Sequence, residues 1–244
     1  MIKYLFILIS GAALQCLNAQ VYQSAMSTTN ANTINITNFR QGGQFIVDAM
    51  GLPDNVEGSV YLEEGYHPAV VSMLSSEQPP LKAFFTYDVF NNIMLMSENS
   101  DGSGAFTLSQ AANIVVSFDK YKFRFLDYTI KGESYSTYVD IISNLDKDHI
   151  LGLVRTKRIF EDNSPVSSYS NAKVPRMKMD SQYILIDKDG VALPFENNKR
   201  GILKNVEDSY QNQLKDYIKT NNIKFEADQE GLVAVASYYV SIKN

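Results

Sequence analysis

From Gly58 to Phe195 the apolar side chains recur with period two, in runs rich in Tyr, Phe, Val and Ile, and from Leu203 onward the period changes to 3.6. Strand side chains alternate between two faces and helix side chains return every 3.6 residues, so one change of period predicts a β-rich body followed by helices. The clearest strand unit runs from Ala83 to Glu98. Phe85, Tyr87 and Val89 alternate with Thr86 and Asp88, Asn91-Asn92 follows, and Ile93 to Met96 returns. Asparagine tolerates positive φ, so the segment predicts a hairpin with a two-residue turn. Asp101-Gly102-Ser103-Gly104 predicts a second turn before Phe106 to Leu108. Further strands are expected at Ile114 to Phe118, Lys122 to Ile130, Tyr135 to Ile142 and His149 to Ile159. Near Leu126 the apolar parity slips from Phe123 and Phe125 to Leu126, Tyr128 and Ile130, the signature of a bulge. Tyr183 to Ile186 and Val191 to Phe195 flank Asp187-Lys188-Asp189-Gly190, which predicts one more hairpin.

Leu203, Val206, Tyr210, Leu214, Tyr217 and Ile218 form one helical stripe, ended by Asn221-Asn222. A second helix is expected from about Asp228, with Leu232, Val235, Ala236, Tyr239 and Val240 as its buried stripe. Helices of this length bury such stripes only by docking on something else. The fold class that follows is α+β, mainly antiparallel β (a curved sheet, a sandwich or an incomplete barrel), closed by two C-terminal helices. Residues 56–200 form the β-rich domain and 201–244 the helical pair packed on it.

The first nineteen residues read differently. Lys3, the apolar run Tyr4 to Ile9, small residues from Ser10 to Ala13 and Leu17-Asn18-Ala19 before Gln20 have the layout of a secretory signal peptide, with cleavage expected after Ala19. The expected localisation is export: periplasm, outer-membrane-associated or secreted. Residues 20–55 read as a loose polar leader, with room for a short helix over Phe39 to Met50 that Gly51 and Pro53 would end. Cys16 is the only cysteine, so a chain cleaved after Ala19 carries neither a Cys nucleophile nor a thiolate metal site. Without the signal, 21 basic side chains face 27 acidic ones, and nucleic acid is not an expected partner. No apolar stretch approaches transmembrane length.

Residues with chemistry are scattered. His67 precedes Pro68, and His149 follows Asp146-Lys147-Asp148; neither has a partner at metal-ligand spacing, and both read as exposed loop histidines. Neither a Gly-x-Ser-x-Gly elbow nor a phosphate-cradling glycine loop is present, and no cofactor is called for. Asp187-x-Asp189-Gly190 and Asp146-x-Asp148 are fragments of calcium loops without the further oxygen ligands such loops need. Glu63-Glu64 and Glu161-Asp162 are adjacent acids, more often solvated surface than a glycosidase pair. Arg155, Lys157 and Arg158, with Lys173, Arg176 and Lys178, make a modest basic segment that reads as a solvated strand face. Tyr121, Tyr128, Tyr135 and Tyr138 cluster in sequence and are the candidate ligand platform, of the kind that could stack on a saccharide.

Gly58-Ser59-Val60-Tyr61-Leu62, Tyr66-x-Pro68, the hairpin from Tyr87 to Leu95, Lys173-Val174-Pro175-Arg176, the hairpin from Tyr183 to Asp189 and the closing segments Leu214 to Phe225 and Leu232 to Ser241 resemble an uncharacterised family of exported proteins from Bacteroidota. Val60 stands where that family more often carries Pro. The resemblance implies export and a β-rich body with two terminal helices, and it implies no activity. The expected function is a non-catalytic envelope or secreted binding protein whose partner is an envelope protein or a saccharide. The alternative is a periplasmic carboxylate-dependent hydrolase, with His149 as a further candidate residue. A concave pocket where two acids, or an acid and a histidine, meet within hydrogen-bond reach would favour the hydrolase, and an exposed flat or apolar patch the binding protein.

Overall fold

The computed structural model of the chain describes residues 39, 55–74, 76–77, 79–161, 174–226 and 229–243. The expected signal peptide with Cys16, the leader apart from Phe39 and Asn55, and the expected helix start at Asp228 lie outside them. Within the described residues ten strands form one open sheet: β1 (His67–Met73), β2 (Leu81–Asp88), β3 (Ile93–Ser97), β4 (Phe106–Thr107), β5 (Ile114–Phe118), β6 (Tyr121–Ile130), β7 (Glu133–Asn144), β8 (Ile150–Phe160), β9 (Arg176–Ile186) and β10 (Ala192–Pro194). Their spatial order is β10-β9-β8-β7-β6-β5-β1-β2-β3-β4, and every neighbouring pair is antiparallel. Three helices follow among these residues: α1 (Lys199–Asn205), α2 (Asp208–Thr220) and α3 (Glu230–Lys243). The fold is therefore α+β, mainly β. Among the described residues no helix is long and apolar enough to cross a membrane.

Two local expectations are corrected. Asp88 pairs with Ile93, so the β2–β3 loop is the four residues Val89 to Asn92 rather than two. Val89 is drawn away from the ladder because its N–H bonds to the carbonyl of Val60 at 3.0 Å. Asn92 adopts the left-handed backbone (φ 56°) that the turn requires. The expected bulge near Leu126 is absent, because β6 and β7 pair without a register shift from Phe123↔Asp140 to Ile130↔Glu133. The shift lies in β7 instead, between Ile141 and Ser143.

The parity slip in β6 has a different cause. Phe123 and Phe125 face a first core: the Phe123 ring lies 5.2 Å from that of Tyr87 and 5.7 Å from that of Phe118, and Tyr138 lies 5.4 Å from Tyr87 and 5.1 Å from Phe125. Since β2 and β7 are far apart in the strand order, contact between Tyr87 and Tyr138 requires the sheet to curl over this face. Leu126 and Tyr128 point the other way. They join Val139, Ile141, Val154, Ile184, Ile186 and Ala192 in a second buried cluster. There the β10 end comes back to β6, with Thr129 bridged to Val191 and its N–H bonded to the Gly190 carbonyl at 2.8 Å. β6 thus serves two cores on opposite faces, which shifts its buried positions with no extra residue.

Asn92 closes the first core. Its Oδ1 accepts from the Tyr87 hydroxyl (3.2 Å), the Thr137 hydroxyl (2.9 Å) and the Tyr138 N–H (3.3 Å), while its Nδ2 donates to the Ser136 carbonyl (3.2 Å). The amide thereby pairs with the edge of β7 much as a strand backbone would. Replacing Asn92 with Ala is expected to cost about 1–3 kcal/mol, the penalty for stranding partly buried donors such as the Tyr138 N–H and the Thr137 hydroxyl. Asn92→Gly, which keeps the left-handed backbone cheap but deletes the amide, should remain destabilised in urea unfolding. A midpoint equal to wild type in both variants would show that the amide does not hold the curl.

The single helix expected from Leu203 to Asn222 is two helices. Val206 leaves the helical region (ψ 156°) while its N–H closes on the Ile202 carbonyl, and Glu207 is extended as well. A break this short leaves Val206 and Tyr210 on one stripe, so periodicity alone passes over it. Asn198 caps α1 by accepting the Gly201 N–H at 2.7 Å. Ile202, Val206, Leu214 and Ile218 pack with Leu232, Val235, Ala236, Tyr239 and Val240 of α3 on Leu151, Leu185 and Phe195 of the sheet side. Gly231 admits the link from Ile223 to Phe225 against α3, since a Cβ there would lie 1.8 Å from the Lys224 carbonyl oxygen.

Candidate functional site

Beyond Val139↔Val154 the sheet divides: β6 and β7 stay paired to Ile130↔Glu133 and β8 and β9 to Phe160↔Arg176, without β7 pairing β8. The segment from Glu57 to Leu62 is a strap between β9 and β2. Glu57 exchanges backbone hydrogen bonds with Pro175 and Met177 (both 2.8 Å), while the Leu62 N–H bonds to the Tyr87 carbonyl (2.8 Å) and Tyr61 bridges to Asp88. At Gly58 (φ 109°) a Cβ would come within 3.1 Å of the Met177 Cβ, so both conformation and space favour glycine. Lys157 Nζ donates to the carbonyls of Ser59 and Tyr61, and burial lowers its pKa.

The strap delivers Glu63 and His67 to residues that are distant in sequence. The Tyr121 hydroxyl donates to Glu63 Oε1 at 2.9 Å, and the Arg155 guanidinium sits 5.1 Å from the centre of the Tyr121 ring. Arg155 donates in turn to Asp140 Oδ2 at 2.9 Å, with the two side chains only 11% and 6% exposed. Asp140 Oδ1 also accepts the Lys122 N–H at 3.0 Å. His67 packs its ring on Phe118 and its Nε2 lies 3.0 Å from the Glu64 carbonyl oxygen. Glu63, His67, Tyr121, Arg155 and Lys157 were separate candidates in the sequence, and the strap and strands assemble them into one polar seam. Asp140 was missed. Its signal was an acid inside the apolar run Val139-Asp140-Ile141-Ile142, a pattern that marks a charge buried with a partner.

At the end of the seam a groove of about 420 Å³ opens between the β5–β6 turn, the bulged end of β7 and the first turn of α3. Ile141, Ile142, Val233 and Ala234 supply apolar walls, and Lys120, Asp140, Gln229 and Glu230 supply polar groups. The β7 bulge between Ile141 and Ser143 falls at this wall.

The four tyrosines of the expected platform do not share one surface. Tyr121 and Tyr138 lie on one face of the sheet, and Tyr128 and Tyr135, paired across β6 and β7, lie on the other. Tyr138 is buried with no hydrogen-bond partner for its hydroxyl among the described residues, and burial raises its pKa. Tyr121 is covered by Arg155 and by Phe123, whose ring centre is 5.8 Å away. Tyr128 is buried, its pKa pushed up to about 12 by burial, and it stacks on Tyr135 at 5.6 Å. Only Tyr135, 41% exposed, offers much of its ring to solvent.

His149 is not the exposed loop residue expected: its side chain is 13% exposed, and its Nδ1 lies 3.1 Å from both carboxylate oxygens of Asp146. It lines a cleft of about 130 Å³ with Asp187, Asn205, Glu207 and Lys243 over Leu185, Leu193, Tyr239 and Val240. Burial pushes the Tyr239 phenol up to about 12. Asp187 closes the β9–β10 hairpin, its Oδ1 accepting the N–H groups of Asp189 (3.0 Å) and Val191 (2.9 Å). Among the described residues the carboxyls with shifted pKa values, Asp101, Asp146 and Asp180, are all lowered, mainly by hydrogen bonds from the Ser103 N–H, the Asp148 N–H and the Arg158 guanidinium respectively. A general acid needs the opposite shift. No protein-family model, curated protein or solved structure matches this chain.

Proposed function

We propose that this is an exported, non-catalytic binding protein of the cell envelope, acting in the periplasm, at the outer membrane or outside the cell, and that its partner, an envelope protein or a saccharide, rests in the groove beside α3. The observation that carries the reading is the groove itself. About 420 Å³ lies within the range of ligand sites, and its apolar walls stand over an Asp140 already fixed by Arg155 and the Lys122 N–H. Groups held in this way orient a ligand at little entropic cost. The resemblance to exported Bacteroidota proteins supports the address.

The test is calorimetric titration of the secreted protein with a panel of soluble envelope saccharides and periplasmic proteins, beside Ala234→Trp, which fills the groove from α3. Saturable binding by wild type and its loss in a normally folded Ala234→Trp protein are expected. Binding that survives the Trp would remove the groove from the proposal.

One observation favours the hydrolase instead: the Asp146–His149 pair opens on a cleft that also holds Asp187 and Glu207. A carboxylate that orients a histidine is an element of general-base sites. The cleft holds only about 130 Å³, room for little more than a few atoms of substrate. Hydrolysis of any envelope ester or glycoside that disappears in His149→Ala with the fold intact would establish this second reading.

A further inference from the structure

We propose that the outer edge of β9 from Lys178 to Gln182 accepts an added strand, and that its occupant is an extended segment of another protein in which acidic residues alternate with apolar ones. The inference does not depend on the groove beside α3. β9 pairs with β8 along its whole length, but its outer side is used only at its ends. Glu57 takes the N–H of Met177, and β10 covers Ile184 to Ile186, with the Phe195 N–H on the Tyr183 carbonyl. The outward-bonding residues are thus Met177, Tyr183 and Asp187, and strand alternation turns the N–H and C=O of Met179 and Ser181 to the same side. Among the described residues nothing pairs with these four groups. Met179 is 46% exposed, and Lys178, Ser181 and Gln182 are exposed as well. The gap is about 17 Å long, the length of an average strand.

The side chains around the gap specify the occupant. On one face Arg176 and Lys178 lie 5.7 Å and 5.8 Å from the Phe160 ring centre, and Arg158 donates to Asp180 at 2.6 Å. Three cations there face two acids, Asp180 and, at the end of the gap, Glu57, which bridges to Arg176. Edge lysines often guard a sheet against unwanted pairing. Here the two cations lie over an aromatic ring on the sheet face, so the backbone edge stays open. The opposite face offers the exposed Met179. An added strand would set acidic side chains beside Lys178 and the cations that flank it, and apolar ones beside Met179, with the main-chain bonds supplying affinity and the alternating side chains selectivity.

The test uses the secreted full chain and two fluorescein-labelled, end-blocked octapeptides, one alternating Val with Glu and the other Val with Lys. Saturable anisotropy is expected with the Glu peptide, and binding weaker by about tenfold or more with the Lys peptide, as rejection of the wrong charge requires. Ser181→Pro deletes one outward N–H and should abolish binding, while Ser181→Ala should leave it unchanged. Arg176→Glu combined with Lys178→Glu should reverse the peptide preference, and this surface variant decides the question if Ser181→Pro does not fold. Equal binding of both peptides, binding indifferent to these substitutions, or no saturable binding would overturn the proposal. A concentration-dependent dimer that Ser181→Pro dissociates would overturn it too, by assigning the edge to a second copy of the chain.

Discussion

Replacing Leu214 with Asp is expected to unfold the C-terminal half of this protein or drive it to aggregate. Leu214 is fully buried where α2 meets the stripe of α3 and the sheet. Loss of a buried leucine costs about 2–5 kcal/mol through transfer and cavity terms. An unpaired carboxylate in the same place adds several more. Together these approach the ~5–15 kcal/mol by which a typical domain is stable. Leu214→Ala should give the milder loss alone, seen as a lower urea midpoint. Cutting the chain after Arg200 should resemble Leu214→Asp, because it uncovers Leu151, Leu185 and Phe195 together. A soluble monomer of residues 20–200 with an unchanged melting temperature would show that the helices do not seal this core.

Arg155→Met should be nearly as damaging, for an electrostatic reason. It keeps most of the side-chain volume on Tyr121 but leaves Asp140 buried without its cation. Breaking a buried ion pair from one side costs about 3–5 kcal/mol, whereas replacing both partners is often close to neutral. The double variant Arg155→Met with Asp140→Asn should therefore recover much of the loss, Asn keeping an acceptor for the Lys122 N–H. A double-mutant cycle in urea measures this coupling. Additive losses would mean that the pair is not coupled and that the seam is held by its other contacts.

What the sequence disclosed follows from where period carries information. Strands β5 to β8 were readable because each is a run rich in β-branched, aliphatic and aromatic residues, and the helical stripes because Leu214, Ile218, Leu232 and Val240 recur at helical spacing. The first half of β9, Arg176 to Gln182, was not read as strand. It has β8 on one side only and its side chains are largely exposed, so no apolar alternation marks it. The slip at Leu126 was real, but period cannot distinguish an inserted residue from a strand whose two halves serve cores on opposite faces. The candidate site was visible as parts. Glu63, His67, Tyr121, Arg155 and Lys157 all stood out as residue types. Their assembly depends on a strap from Glu57 to Leu62 that pairs with strands at both ends and has no periodic signature of its own.

That strap also sets the order in which the structure can be completed. The β6–β7 and β8–β9 hairpins join neighbours in sequence and can form as soon as they are synthesised, whereas Glu57 must wait for Pro175 and Met177. Pairings across such a span form late, because the loop they close must be ordered before any contact compensates for it. A chain emerging N-terminus first therefore carries Val60, buried in the finished protein, in the open until most of the sheet exists. Docking of the strap is the natural slow phase of refolding, and Lys157, which grips two of its carbonyls, is the residue whose loss should slow it.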